Sequence, residues 1–252
     1  MKKTVSSILL ASALLLGSIA PVVANAASVL TSGTTNATAK FEAPDPVTNP
    51  VDPNDPSKPA TGTQTGNGAT TGDGNLTFLY VTNNLDFGSS KSVTSGSQDV
   101  KGQTTITPET FADGTTNSNF VTEISDTRGS NAGWSVQVSS TKMIDKSNTD
   151  TNTNFLKGAT IDFNGGAGAT TIKNSADATT GLSANSVKVS TIDGSTQTIY
   201  GAATDSGAGQ TSFQLDPSNI QLSSVGATTN TGTYSGTLTW ALSDTPAAAP
   251  KA

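Results

Sequence analysis

The chain of 252 residues contains no cysteine and no histidine, and Arg128 is its one arginine. Without cysteine there is no disulfide framework and no Cys-His dyad. Without histidine there is no Ser-His-Asp triad and no imidazole-held metal, which removes most hydrolase and metalloenzyme designs. Charge is sparse at 13% of residues, and its balance is acidic, with a formal net charge of −6. Such a surface argues against a nucleic-acid partner and against electrostatic docking on anionic lipid. Long apolar runs are scarce as well. The one at residues 8–20 falls short of the roughly 18–20 residues that span a bilayer.

That run has a basic start, Lys2 and Lys3, and is followed by the small-x-small sequence Ala24-Asn-Ala26. This is the pattern of a secretory signal peptide, so residues 1–26 are expected to be removed, leaving a mature chain from Ala27 with no transmembrane segment. A cysteine-free chain sent to an oxidising compartment suits export from a bacterium with a single membrane. Loss of Lys2 and Lys3 makes the mature chain more acidic still.

What the chain has in quantity is Thr, Ser, Asn and Gly, poor residues for helix interiors and common in turns and on exposed strand faces. Residues 27–43 read as an N-terminal strand segment, with a short strand at 34–42 that puts Ala37, Ala39 and Phe41 on one face. Residues 44–74 read as a Pro/Thr/Gly-rich acidic linker or loop. Six of the chain's eleven prolines fall in 44–59, a density that favours extended polyproline II structure and the role of a plain spacer. From residue 75 the pattern changes to short alternating segments at 76–81, 98–107, 120–124, 134–138, 155–163, 186–192, 196–200, 212–215, 220–225 and 231–243, separated by Gly, Asp, Asn and Ser. Many short strands, no convincing amphipathic helix and no long repeat predict an all-β protein. The expected architecture is an antiparallel β-sandwich, Ig-like or related, over 75–252, with the Pro-rich acidic insertion near the N-terminus and 27–43 free to pair with it.

Both tryptophans lie in such segments. Gly133-Trp-Ser-Val-Gln-Val138 places Trp134, Val136 and Val138 on one face. Thr231-Gly-Thr-Tyr-Ser-Gly-Thr-Leu-Thr-Trp-Ala-Leu-Ser-Asp-Thr-Pro246 places Leu238, Trp240 and Leu242 on one face. Trp134-Ser-Val136 and Trp240-Ala-Leu242 resemble the two Trp-x-Leu motifs of the WxL domain, found in surface proteins of low-GC Gram-positive bacteria. Leu85-Asp-Phe-Gly88, Ser125-Asp-Thr-Arg-Gly-Ser-Asn-Ala-Gly-Trp134 and the C-terminal strand support the resemblance, as does the acidic Pro-rich tract. The first motif departs from the pattern, with Val136 in place of Leu.

The resemblance implies a secreted, non-catalytic protein without cofactor, held on the cell wall by non-covalent attachment to peptidoglycan. It also implies company, since such proteins work in clusters with other cell-surface proteins. The alternative role is a structural subunit of a cell-surface complex that docks on a membrane-anchored WxL-binding partner. Residues 247–252 carry neither a sortase motif nor an apolar tail, so attachment through the folded surface is expected.

Two readings stand for each candidate residue. Trp134 and Trp240 are either core side chains between two sheets or aromatic platforms for a glycan, and the alternation favours the core. Arg128 either pins its loop by an ion pair to Asp126 or grips a carboxylate of a peptidoglycan stem peptide or protein partner. Asp145, Asn148, Asp150, Asn152 and Asn154 alternate as calcium ligands do, but without the Gly and bidentate Glu of an EF-hand, so a solvated loop and no metal are expected. Asp86, Glu109, Glu123 and Asp162 lie apart in sequence, and nothing pairs any two of them for glycoside hydrolysis.

Overall fold

Alternating apolar and small polar residues need a sheet with one buried face, and two such sheets bury each other. The computed structural model meets that need. It describes residues 33–60, 66–72, 74–100, 104–110, 116–145, 147, 154–166, 168–227 and 230–247. The expected signal peptide lies outside the described residues. The chain divides into two units, Met1–Phe41 and Glu42–Ala252.

In the larger unit the protein is all-β and antiparallel. One four-stranded sheet runs in the order Thr170–Asn174, Gly209–Leu215, Phe120–Asp126, Leu76–Val81. A second runs Leu182–Ala184, Gln197–Ala202, Trp134–Ser140, Leu238–Ser243. A three-stranded sheet, Ser186–Ser190, Thr160–Asn164, Ile220–Ser223, completes the enclosure. The core lies between them. Phe120, Ile124, Phe213 and Leu215 come from the first sheet, Trp134, Val136, Val138 and Ile199 from the second, and Ile161, Phe163, Val189 and Ile220 from the third. Tyr200 stacks on Phe213 with ring centroids 4.5 Å apart. Its hydroxyl accepts a hydrogen bond from Thr122 Oγ1 at 2.7 Å, so the buried phenol has a polar partner.

The strand expected at residues 34–42 does not form: 33–43 carry no strand, and Ala37, Ala39 and Phe41 are exposed. Two alanines bury little apolar area, and one Phe does not hold a lone segment in a sheet.

The Pro-rich tract is the larger correction. It is not a plain spacer. Val51–Asp52 and Asp55–Pro59 form a tight antiparallel hairpin, and Val51, Pro53 and Pro56 are buried. The hairpin lies on the outer face of the first sheet. There Ser212 Oγ and Gln214 Nε2 both donate to the Pro53 carbonyl, at 2.6 and 2.7 Å, and the Val51 N–H donates to Glu123 Oε2 at 3.0 Å. Proline brings no N–H of its own, so a tract of this composition has few donors to satisfy and can lie flat on a sheet as an acceptor. A second hairpin, Glu109–Thr110 with Thr116–Asn117, joins the same layer. Asn117 Nδ2 donates to Gln214 Oε1 at 2.8 Å, so one glutamine side chain links both hairpins to the sheet.

This layer explains why all seven residues of Phe120–Asp126 are buried. The strand has the core on one face and the Pro-rich strap on the other. Gln214→Leu leaves the Pro53 carbonyl and Asn117 short of partners. It is expected to lower the unfolding free energy by about 1–3 kcal/mol, measured by urea denaturation. A near-neutral result would mean that the strap contributes nothing to the fold.

Candidate functional site

The two Trp motifs are neighbours. Trp134–Ser140 and Leu238–Ser243 pair antiparallel, with Val136 opposite Leu242 and Val138 opposite Trp240. The position where Val replaces Leu therefore faces the leucine of the other motif. Val136 is fully buried and Leu242 half-buried, so the shorter side chain lies inside the core.

The tryptophans themselves differ. Trp134 is 0% exposed. Its ring meets Tyr200 edge to face at 5.8 Å, and its indole N–H donates to the Gly207 carbonyl at 2.9 Å. Gly207 holds a positive φ of 78°, and a Cβ there would come within 2.7 Å of Trp134 Nε1. The indole thus fills space that only glycine leaves open. Trp134 is a core residue. Trp240 is half-buried. It packs on Phe120 at 5.3 Å and Phe163 at 5.9 Å, but its strand is the edge of its sheet.

At that edge the two four-stranded sheets part, and Trp240 borders two hollows. The larger is a cleft of about 1260 Å³, lined by Asn83, Phe87, Met143, Tyr234, Leu238 and Trp240 among others. The smaller, about 260 Å³, lies between Trp240, Phe78 and Gly68. Hydroxyl and amide side chains share the larger cleft with aromatic and aliphatic ones, and its charged groups are Asp86 and Lys91. An aromatic and aliphatic floor under neutral polar groups suits an uncharged, hydroxyl-rich ligand.

Arg128 and Asp126 hold each other. Nε and Nη2 donate to the two Asp126 oxygens at 2.9 and 2.8 Å, and Nη2 also donates to the Gly133 carbonyl at 2.7 Å. The Arg128 backbone N–H adds a bond to Asp126 Oδ1 at 3.1 Å. The Asp126 side chain is 2% exposed and that of Arg128 19%. The hydrogen bond to Asp126 holds the guanidinium firmly in its charged form, above its ordinary pKa. The fork closes the loop that leads into Trp134, where Gly133 has a φ of 77°. A ligand carboxylate gripping the Nε–Nη2 side of Arg128 would have to displace Asp126.

The acidic residues sort differently from their sequence positions. Asp162 pairs with Lys188 at 2.7 Å, and Asp86 lines the cleft. Glu109 and Glu123 come together beneath the strap, 1% and 0% exposed, closed off from any substrate. A strand that alternates apolar and polar residues gave no sign that its polar face is covered. In the candidate calcium loop, Asn148, Asp150 and Asn152 lie outside the described residues. Asp145 accepts from the Ser147 N–H and hydroxyl, which holds its carboxylate below the usual range. Among the described residues no group of three acidic, cysteine or histidine side chains is placed to hold a metal ion, and no helix is long and apolar enough to cross a membrane.

Residues 28–246 match the family model described as the WxL domain, surface cell wall-binding. The chain belongs to the WxL family. No match was found among curated proteins or solved structures. The WxL match contains both Trp motifs, the strap and the cleft, so the family's wall-binding domain extends over the whole sandwich.

The two tryptophans are expected to separate on substitution. Trp134→Ala removes a fully buried ring and should cost about 3–5 kcal/mol in urea unfolding, while Trp240→Ala should cost clearly less. Arg128→Met leaves the Asp126 carboxylate buried without its partner and should cost about 3 kcal/mol, measured the same way.

Proposed function

We propose that this WxL protein is exported by its N-terminal signal and attaches non-covalently to Gram-positive peptidoglycan through the cleft beside Trp240. The observation that carries this reading is the contrast between the two tryptophans. Trp134 is enclosed with its N–H satisfied, whereas Trp240 is half-buried at the border of a large, nearly uncharged cleft. The C–H face of a sugar stacks on an indole, and the surrounding hydroxyl and amide groups can bond sugar hydroxyls and N-acetyl groups. The role is non-catalytic: the buried pair Glu109 and Glu123 lies outside the cleft. Asp126 and Arg128 act on this reading as positioning residues that fix the loop into the Trp134 strand.

The second reading is a structural subunit of a cell-surface complex, docked on a membrane-anchored WxL-binding partner. It is favoured by Leu238–Ser243, an edge strand that, among the described residues, pairs on one side alone. Such an edge can accept a further strand.

Co-sedimentation of the folded mature protein with purified peptidoglycan tests the first reading. Wild type should pellet, and Trp240→Ala should remain in solution while keeping a cooperative unfolding transition. If wild type stays in the supernatant with bare peptidoglycan but pellets once other surface proteins of the same cell are present, the second reading holds.

A further inference from the structure

Beneath the strap, four ionisable side chains from four segments share one small region. Glu123 comes from the central strand of the first sheet. Tyr80 comes from its edge strand, where a bulge between Phe78 and Tyr80 brings Tyr80 opposite Glu123. Such a bulge re-aims the side chains beyond it. Glu109 comes from the second hairpin, and Asp52 from the strap itself. The neighbouring outward residues of the next strand, Ser212 and Gln214, are neutral and already bonded to the Pro53 carbonyl.

Among the described residues, both Glu109 oxygens and Glu123 Oε1 are buried without a hydrogen-bond partner, and Glu123 Oε2 has the Val51 N–H. Among the same residues, the charges that act on the pair come from Asp52 and, for Glu123, from Glu109, and these are negative. Two carboxylates in such a place cannot both stay ionised. A protonated carboxyl turns one oxygen into a donor and can bond to its neighbour.

We infer that the Pro-rich strap is docked through a proton held by the buried Glu109–Glu123 pair, so that the strap binds most tightly in mildly acidic surroundings and loosens as the medium becomes alkaline. This device is independent of how the cleft is used.

The electrostatics agree with the geometry. Burial first, then Asp52, pushes Glu109 up to about 8. Burial first, then Glu109, holds Glu123 well above the carboxylate range despite the Val51 N–H. Burial and both glutamates raise Tyr80 too, so its phenol stays neutral. For a carboxyl raised on folding, the folded state holds a proton that the unfolded chain has released. Its contribution is complete below the unfolded value of about 4.5 and disappears as pH rises through the folded value. The window is therefore about pH 4.5 to 8. Because the chain has no histidine, no side chain of ordinary pKa titrates between pH 5 and 8 to obscure it.

The experiment is urea unfolding of the full mature chain from pH 5 to 8.5, with amide exchange at Val51 followed in parallel. The unfolding equilibrium constant should rise with pH, up to about tenfold per pH unit for one retained proton, and Val51 exchange should speed up beyond its ordinary pH dependence. Glu109→Gln, a permanently neutral isostere, should lessen the slope and unfold less readily than wild type at pH 8, and Glu109→Gln/Glu123→Gln should flatten the profile. A wild-type profile that is flat across the window overturns the proposal, whether or not the variant folds. So does a slope that survives in Glu109→Gln/Glu123→Gln. A slope that millimolar calcium removes and a chelator restores also overturns it, by making the pair a cation site.

Discussion

The pairing of Trp134–Ser140 with Leu238–Ser243 is the constraint on which the rest depends. The two segments are about a hundred residues apart, yet Val138 faces Trp240 and Val136 faces Leu242. A slip of one residue would turn Trp134, Val136 and Val138 out of the core together, because side chains alternate along a strand. The register is held from both ends. Upstream, the Arg128–Asp126 fork and the Gly133 turn fix where the first strand starts. On the other flank the Trp134 strand also pairs with Gln197–Ala202, and Ala247 N–H bonds the Ala202 and Trp134 carbonyls beyond the last strand. The motif is thus first a device for closing a sandwich, and only its second half stands at the edge of a sheet.

That asymmetry comes from topology and not from composition. Both tryptophans occupy the same kind of alternating segment. The strand of Trp134 has a partner on each side, whereas the strand of Trp240 is an edge. The strand pattern around 120–124, 134–138 and 238–243 could be read directly, because alternation is a local property. Which strand ends up at an edge depends on pairings between distant segments, and the sequence carries no local mark of that. The cleft, built where two sheets part, was equally hidden.

The strap was hidden for a related reason. Prolines at this density say that the tract is extended, which is true both of a free spacer and of a strand laid on a sheet. What separates the two is the set of groups that meet it. Its partners Ser212 and Gln214 lie about 160 residues downstream of Pro53, in a strand whose polar positions carry no local mark of a cover. The same holds for Glu123. A period of two tells which face of a strand is polar, but not whether another segment later covers it.

Once that face is covered, the buried acids follow. The strap needs an acceptor for the Val51 N–H, and Glu123 supplies it. A neutral amide in the same place would supply one as well, without the cost of desolvating a carboxylate. Keeping an acid there, with Glu109 beside it and, among the described residues, no cation among the charges that act on it, gives up stability at neutral pH that a glutamine would retain. What an acid has and an amide lacks is a bound proton that responds to the medium. The same stretch of chain that gives the sheet its second face therefore also makes the hold of that face dependent on pH.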